Sequence, residues 1–398
     1  MQKTPMASRK HISILGKVNA GKSSLFNAIL GQHAAIISKE PGTTTDPVIK
    51  AMELVPFGPI VLIDTAGFGD VSEVGKQRMK KSQQMLNRTD VALYVIDSSS
   101  FDPNEYKDTI LLLKEKLIPY IVIFTKVDLV SEIEKNWLKE TYKDAVFVDC
   151  FDEASIIPVK EKLGQELAKL KVEDENLIGS LIEKNSLVIL VVPIDSAAPK
   201  GRLILPQVQL IRECLDHGIK CLVTREHELP QALKEVEKVD LVVTDSQIFK
   251  SVNEIVPESI SLTSFSMLLA RQKGDINLFI DGAKQVGQID NNAKILMVEG
   301  CTHNATHEDI GKVKIPTLMR KYTGKELSFD FCTGYDFPDH IEEYQMVVHC
   351  GGCMVSKKAV INRLSICQDK NIPVTNYGVL LAYLNGILPR CSQIFYKK

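Results

Sequence analysis

The strongest constraint on how this chain can fold is one short run, Gly16-Lys17-Val18-Asn19-Ala20-Gly21-Lys22-Ser23. An apolar segment at 11–15 precedes it, and a segment with helical apolar spacing follows at 21–30. A glycine-rich turn between a strand and a helix, ending in Lys-Ser, is the pattern of a phosphate-binding loop. Loop N–H groups and the helix N-terminus together form a cradle for anionic oxygens. Gly16, Asn19, Ala20, Gly21, Lys22, Ser23 and Ser24 are the expected contacts. Lys22 would reach the terminal phosphates and the Ser23 hydroxyl would bind Mg2+. A glycine turn with a chance lysine is the plainer reading, and the partners further along the chain speak against it.

Strand and helix patterns alternate from 11 to 170. Near-continuous apolar runs at 11–15, 60–63, 91–96, 120–124 and 145–148 suit buried strands of a parallel sheet. Helical spacing covers 21–30 and 156–170, and the acidic stretch 172–176 reads as an exit. The alternation restarts with strands at 187–193, 221–224 and 240–244. A helix at 206–217 has Pro206 suited to its first turn and Gly218 to its C-cap. A third unit is expected from about 261–265, with strands at 294–298, 327–331, 345–349 and 372–375 and helices at 308–321 and 356–369. The tail, 386–398, reads as a surface arm or an interface element. At 398 residues the chain exceeds one core. The expectation is an α/β protein of three domains, at 1–172, 173–262 and 263–398: a P-loop fold, a small βαβ domain and a further α/β domain.

Composition narrows the setting. The formal net charge is -2, which argues against a nucleic-acid-binding surface, so no nucleic acid is expected as a partner. No apolar run reaches the roughly 18 residues of a membrane span, so no membrane partner is expected either. The first residues lead into a strand without the apolar region of a signal peptide, and a cytoplasmic location is the expectation. In that reducing setting nine cysteines do not suggest a disulfide framework. Clustered cysteines then point to metal or redox chemistry, and scattered ones to packing.

Three more segments extend the nucleotide reading. Asp64-Thr65-Ala66-Gly67 follows a strand, so Asp64 can hold Mg2+ through water and the Gly67 N–H can sense a γ-phosphate. Thr125-Lys126-Val127-Asp128 also follows a strand. A carboxylate at Asp128 accepts from two N–H donors that guanine has and adenine lacks, which favours GTP. The segment 41–46 has the composition of a switch loop, with Thr44 expected to sense Mg2+ and Thr43 and Thr45 as its neighbours. Catalysis would rest on Lys22, Thr44, Asp64 and Gly67. A fifth motif is degenerate, with Asp149-Cys150 where Ser-Ala is usual.

Over residues 10–170 these motifs resemble the Era/TrmE-like GTPases. Two consequences follow from the resemblance. Phe68 stands where Ras-like proteins place a catalytic glutamine, and an apolar ring cannot orient water, so intrinsic hydrolysis is expected to be slow. Asn19 occupies the position that helps bind K+ in the TrmE-like group, and that ion can stabilise transition-state charge. A simple turn residue is the alternative at Asn19.

Near the chain's end stand Cys301-Thr302-His303 and His349-Cys350-Gly351-Gly352-Cys353. In a parallel sheet both groups would lie at C-terminal strand ends, where open α/β folds bind ligands. Gly351 and Gly352 allow the tight turn that would aim two sulfurs at one centre. A helix N-terminus beyond Cys353 would favour its thiolate. Cys301, His303, Cys350 and Cys353 would give zinc a Cys3His set, whereas three cysteines would give a [4Fe-4S] cluster with one exchangeable iron. The residue chemistry leaves both open, along with a purely structural role. Cys150, Cys214, Cys221 and Cys367 read as packing residues, and Cys332 ends a strand nearby.

The Cys-x-His and His-Cys-x-x-Cys pair behind such a GTPase resembles the [FeFe]-hydrogenase maturation GTPases, the HydF family, across the whole chain, including the segment 198–206. The resemblance implies a [4Fe-4S] cluster on Cys301, Cys350 and Cys353, with His303 or His349 as fourth ligand or as a contact for a diiron precursor. It implies a dimerisation role for the middle domain, a homodimer or higher homo-oligomer, and a scaffold or carrier function. Radical-SAM hydrogenase maturases would supply the precursor and apo-[FeFe]-hydrogenase would receive it. Nucleotide state would bias the switch segments 37–48 and 68–79. Two other classes stand beside this reading. One is an RNA- or ribosome-associated regulatory GTPase with a structural zinc. The other is an enzyme whose open iron acts as a Lewis acid, although no acid/base pair accompanies the cysteines.

Overall fold

A computed structural model describes residues 4–31, 47–65, 85–170, 176–193, 203–300 and 310–396. Thr43, Thr44, Thr45, Gly67, Phe68, Cys301 and His303, and most of the two switch segments, lie outside the described residues. The chain divides into two compact units, Met1–Glu173 and Asp174–Lys398.

The first unit is built on six strands: β1 (Lys10–Leu15), β2 (Val48–Leu54), β3 (Gly58–Asp64), β4 (Val91–Asp97), β5 (Tyr120–Thr125) and β6 (Val146–Phe147), in the order β2-β3-β1-β4-β5-β6. All pairings are parallel except that of β2 with β3. Central strands buried on both faces explain the unbroken apolar runs: every residue of β4 but the last is buried. Ile12, Ile14, Leu62 and Leu93 face one side with Leu163 and Leu167 of α4 (Glu153–Leu170), and Tyr94, Ile96 and Phe124 face the other. The connecting helices carry local start signals. Asp102 caps α2 (Pro103–Glu115), which has proline in its first turn, and Ser131 with Glu134 forms a capping box on α3 (Glu132–Thr141). The antiparallel β2 was not anticipated. Its residues are mostly exposed and include charges, so it lacks the buried-strand pattern.

The second unit contains two parallel four-stranded sheets. One is β10-β9-β7-β8, formed by β7 (Leu187–Val191), β8 (Lys220–Thr224), β9 (Leu241–Thr244) and β10 (Ser261–Ser264). The other is β12-β11-β13-β14, formed by β11 (Ala293–Glu299), β12 (Leu327–Thr333), β13 (Met346–His349) and β14 (Val374–Asn376). Numbered from its own first strand, each sheet has the order 2-1-3-4. The chain therefore reverses direction across each sheet between its first and third strands. In open α/β sheets, ligands bind at such a reversal, outside the strands' C-terminal ends.

Two expectations change. The segment at 261–264, expected to start the third unit, is the edge strand of the middle sheet, pairing with β9 residue for residue. The tail is not a surface arm: α13 (Leu388–Ser392) buries Leu388 and Cys391, and Ile394 is buried after it. Arg390 fastens the tail by donating to the carbonyls of Asn253, Val256 and Pro257. One apolar core runs through both sheets, joining Ile189 and Val242 of the first to Leu296 and Val347 of the second. Helices α8 (Phe265–Lys273), α9 (Ile276–Lys284) and α12 (Tyr377–Leu384) fill it and were also not anticipated. Most of the described part of α12 is apolar and buried, so it shows no one-sided periodicity.

Candidate functional site

Lys22 and Ser23 open α1 (Lys22–Leu30), with Gly21 as its N-cap. The loop from β1 into α1 is shaped by backbone rather than side chains. Gly16 has φ +143, and a Cβ there would fall 2.2 Å from the Val95 carbonyl oxygen. Asn19 has φ 65, in the left-handed region that asparagine tolerates best after glycine. Ala20 is buried, and its carbonyl accepts a hydrogen bond of 2.7 Å from Thr125 Oγ1. Ser24 lies in the first turn of α1.

Lys22 Nζ donates to the Lys17 carbonyl at 2.6 Å, an anchor internal to the loop. Burial lowers Lys22 to about 8, with the Asp64 charge opposing. Ser23 Oγ donates to Asp64 Oδ2 at 2.6 Å. Burial raises the Asp64 carboxyl, with the Ser23 bond and Lys22 opposing. Asp64 Oδ1 is buried and has no hydrogen-bond partner among the described residues. An unsatisfied carboxylate oxygen beside a serine hydroxyl fits a hydrated divalent cation, so Ser23 and Asp64 have the donor set and placement for Mg2+.

Thr125 ties the loop to the base-reading segment, since its hydroxyl also lies 3.1 Å from the Ile96 carbonyl. Lys126 Nζ contacts Asp97 Oδ2 at 2.7 Å. Burial works against the Asp97 carboxylate, but hydrogen bonds from Lys126 and Ser99 outweigh it and hold the group below its usual range. Asp97 was not anticipated. Its position at the end of β4, the strand beside β1, was the available signal. Asp128 is exposed, three residues beyond β5, and so open to a ligand edge. Asp149 Oδ1 accepts from the Phe151 N–H, forming a tight turn at the degenerate fifth motif.

The second candidate site lies in the last sheet at its reversal point. β11 and β13 are neighbours, with Val298 opposite His349. The Gly300 N–H donates to Cys350 Sγ at 3.0 Å, and the Gly352 N–H donates to it at 3.3 Å. The last described residue after β11, Gly300, therefore touches the Cys350 sulfur, and Cys301 and His303 lie outside the described residues. Burial pushes the Cys350 thiol up to about 11, while the two N–H groups pull it down. Without a metal the sulfur therefore holds its proton, and metal binding would release it. Cys353 follows in a turn that leads to Ser356, the N-cap of α11 (Lys357–Asp369).

His349, expected with His303 as a candidate fourth ligand, is held by two hydrogen bonds. Its Nδ1 pairs with the Cys350 carbonyl at 2.7 Å and its Nε2 with Arg363 at 3.0 Å. A carbonyl only accepts and a guanidinium only donates, so the ring is neutral with its proton on Nδ1. Burial, followed by the neighbouring Arg363 charge, lowers His349 to about 3. Both nitrogens are committed, and in this arrangement His349 offers no lone pair to a metal. Arg363 also donates to the Gly334 carbonyl at 2.7 Å. Asn376 Nδ2 adds a second bond to the Cys350 carbonyl, at 3.1 Å. Lys273 Nζ donates to the carbonyls of Gly352 and Val355 at 2.7 and 2.6 Å. None of these three partners carried a sequence signal: Lys273 and Asn376 reach the cysteine loop from other elements, and Arg363 is one polar residue within the helix that follows it. Among the described residues no group of three metal-ligating side chains is assembled.

The donor set can still be tested against a cluster. Cys350 receives two N–H···S bonds of the kind that support an anionic sulfur, and two buried cations, Lys273 and Arg363, surround the loop. The chemistry fits a thiolate-ligated group, with Cys350 and Cys353 as sulfur donors.

Comparison with known proteins divides along the same lines. Residues 11–126 match the family described as 50S ribosome-binding GTPase. The tRNA modification GTPase MnmE of Thermoanaerobacter sp. (strain X514) is 36% identical over 176 residues, which is 44% of this chain and 35% of that protein. GTPase Der of Kosmotoga olearia is 33% identical over 144 residues, or 35% of this chain and 32% of that protein. The chain thus spans about a third of the length of these curated relatives. Among solved structures, a variant of Aquifex aeolicus Era bound to GDP and AlF4- is similar at 23% identity and TM-score 0.35, over 39% of this chain and 56% of that one. The G domain of the T. maritima FeoB iron transporter is similar at 24% identity and TM-score 0.30, over 40% of this chain and 99% of that one. Residues 177–274 match the Hydrogen maturase F dimerization domain, and residues 277–394 match the Hydrogen maturase F tetramerization domain. Those two matches together take in more than half of the chain and follow directly on a P-loop GTPase domain, and the chain belongs to the hydrogen maturase F family.

Proposed function

We propose that this protein is a GTP-binding and GTP-hydrolysing scaffold that carries a [4Fe-4S] cluster and delivers the diiron subcluster of [FeFe]-hydrogenase. The observation that supports the cluster is the 3.0 Å hydrogen bond from the Gly300 N–H to Cys350 Sγ, which sets the end of β11 against the cysteine loop that follows β13. When bound, the cluster would offer an iron not held by cysteine, to which a diiron cargo could attach. Cys301, Cys350 and Cys353 would hold the cluster. With His349 engaged by Arg363, His303, water or a carboxylate is left for the fourth position.

In the first domain Lys22 would exchange the Lys17 carbonyl for phosphate oxygens. Ser23, Asp64 and Thr44 would serve Mg2+, Asp128 the guanine edge, and the Gly67 N–H the γ-phosphate. Asn19 would help hold K+, and Phe68 would keep the intrinsic rate slow. Hydrolysis would reset the switch segments and so the contacts with partners. Those partners would be the radical-SAM hydrogenase maturases on one side and apo-[FeFe]-hydrogenase on the other. The matched dimerization and tetramerization domains support a homo-oligomer. No described helix is long and apolar enough to cross a membrane, consistent with a cytoplasmic carrier. The same two matches disfavour an RNA- or ribosome-associated GTPase with a structural zinc.

The deciding experiment is reconstitution. Protein prepared together with radical-SAM maturases should confer hydrogen evolution on purified apo-[FeFe]-hydrogenase, and protein prepared without them should not. No hydrogen evolution after loading, with GTPase activity intact, would sink the carrier role.

A further inference from the structure

Lys273 is 6% exposed at the last turn of α8, and its ammonium spends its hydrogen bonds on one short stretch of backbone. Nζ lies 2.7 Å from the Gly352 carbonyl, 2.6 Å from that of Val355 and 3.4 Å from that of Cys353. These carbonyls make up the turn that presents Cys353. The lysine arrives from outside the cysteine sheet: α8 follows β10 of the middle sheet, capped by Ser264. Residue 273 also falls within the dimerization-domain match, whereas the turn falls within the tetramerization-domain match.

Burying an ammonium costs several kcal/mol unless a counter-charge accompanies it. Carbonyl oxygens satisfy its N–H groups but supply no net charge. Among the described residues no carboxylate pairs with Lys273. Arg363, on the other side of the same loop, is 4% exposed and likewise bonded to carbonyls and a neutral imidazole. Asp336 lies in electrostatic range of Arg363 and Glu299 in range of Cys350, whereas the ionisable groups that act on Lys273 are Cys353 and Cys350. Three thiolates outweigh the positive charge of an oxidised four-iron core, so a cysteine-held cluster is the kind of anion that would accompany the Lys273 ammonium.

We infer that Lys273 is the positioning residue of the cluster site: it sets the Gly352–Val355 turn that aims Cys353 and supplies counter-charge to the anion bound there. This role rests on the cluster reading given above. A neutral side chain at 273 would loosen the turn and make the reduced, more negative cluster harder to form. The residue would thereby tie cluster retention to the packing of the middle sheet.

The test uses the full chain, reconstituted without oxygen, in three forms: wild type, Lys273→Gln and Lys273→Arg. Three quantities are read: thermal melting by circular dichroism, iron release to a chelator, and the midpoint potential from an EPR-monitored redox titration. Lys273→Gln should release iron about 10- to 100-fold faster, the usual effect of losing a group that supports a metal ligand. Its potential should shift negative, and Lys273→Arg should restore both. An unchanged release rate and potential in Lys273→Gln would overturn the role, as would an arginine that fails to rescue. Should Lys273→Gln not fold, Lys273→Arg decides alone: wild-type potential supports the role and a negative shift overturns it. Wild-type protein that takes up no iron and sulfide would overturn the cluster reading itself, and this role with it.

Discussion

At the scale of single residues, the nucleotide site stores its chemistry in groups held away from their ordinary charge state. Lys22 is lowered to about 8, whereas an unfolded lysine sits near 10.4. Between those values the unfolded chain binds the extra proton, so stability contributed by this group rises with pH across that window. Bound phosphates reverse the balance by restoring the ammonium. GTP binding near pH 9 should therefore take up as much as about one proton per site. It should take up none through Lys22 near pH 6.5. Calorimetry in buffers of differing ionisation enthalpy measures this, and the uptake should vanish in Lys22→Met together with binding. Gly16 gives a second test. Its φ of +143 and the Val95 carbonyl leave no room for a Cβ, so Gly16→Ala should cost about 3 kcal/mol in urea unfolding of the first unit. Asn19 gives a third: GTP hydrolysis should run faster in K+ than in Na+, and Asn19→Ala should abolish the difference. These residues were legible because phosphate recognition uses local backbone, and a local motif survives in a linear reading. Asp97 and Lys273 were not legible, since each matters through a contact made across a long stretch of chain, and Arg363 was not because a polar residue buried within the helix after the cysteines carries no pattern of its own.

Elements were legible to the degree that burial repeats along them. Strands buried on both faces, such as β4 and β13, announced themselves as apolar runs. The exposed β2, paired antiparallel at an edge, did not. Helices with one buried stripe were readable, whereas α12, buried nearly throughout, gave no period. The tail's burial was missed because its apolar residues are few and irregularly spaced, and only the tertiary contact reveals their use. Leu388 is 5% exposed in α13 within the core shared by the two sheets. Leu388→Ala should accordingly destabilise the second unit by about 2–5 kcal/mol, as large-to-small core changes do. A change below 0.5 kcal/mol in chemical denaturation would return the tail to the surface. The boundary near 262 failed for a related reason: β10 looks like a beginning in sequence, yet its hydrogen bonds go back to β9.

At the scale of the molecule, two sheets of identical order share one core in the second unit, and the cysteine motif occupies the reversal point of the later one. Sequence patterning placed Cys350 at a strand end, because a cysteine directly after an apolar run must emerge there, and Cys301 lies outside the described residues. Patterning could not rank zinc against iron and sulfur, since both take thiolates. The structure adds a hydrogen bond from Arg363 to His349. It also adds Lys273, a buried cation with no carboxylate partner among the described residues, which favours an anionic group. The central claim is that Cys301, Cys350 and Cys353 together hold four irons. The measurement that tests it most directly is iron and sulfide content with EPR of the dithionite-reduced protein, prepared without oxygen. About four irons and four sulfides per chain are predicted, with a [4Fe-4S] signal that disappears in Cys350→Ala. One zinc per chain with no sulfide would contradict the account.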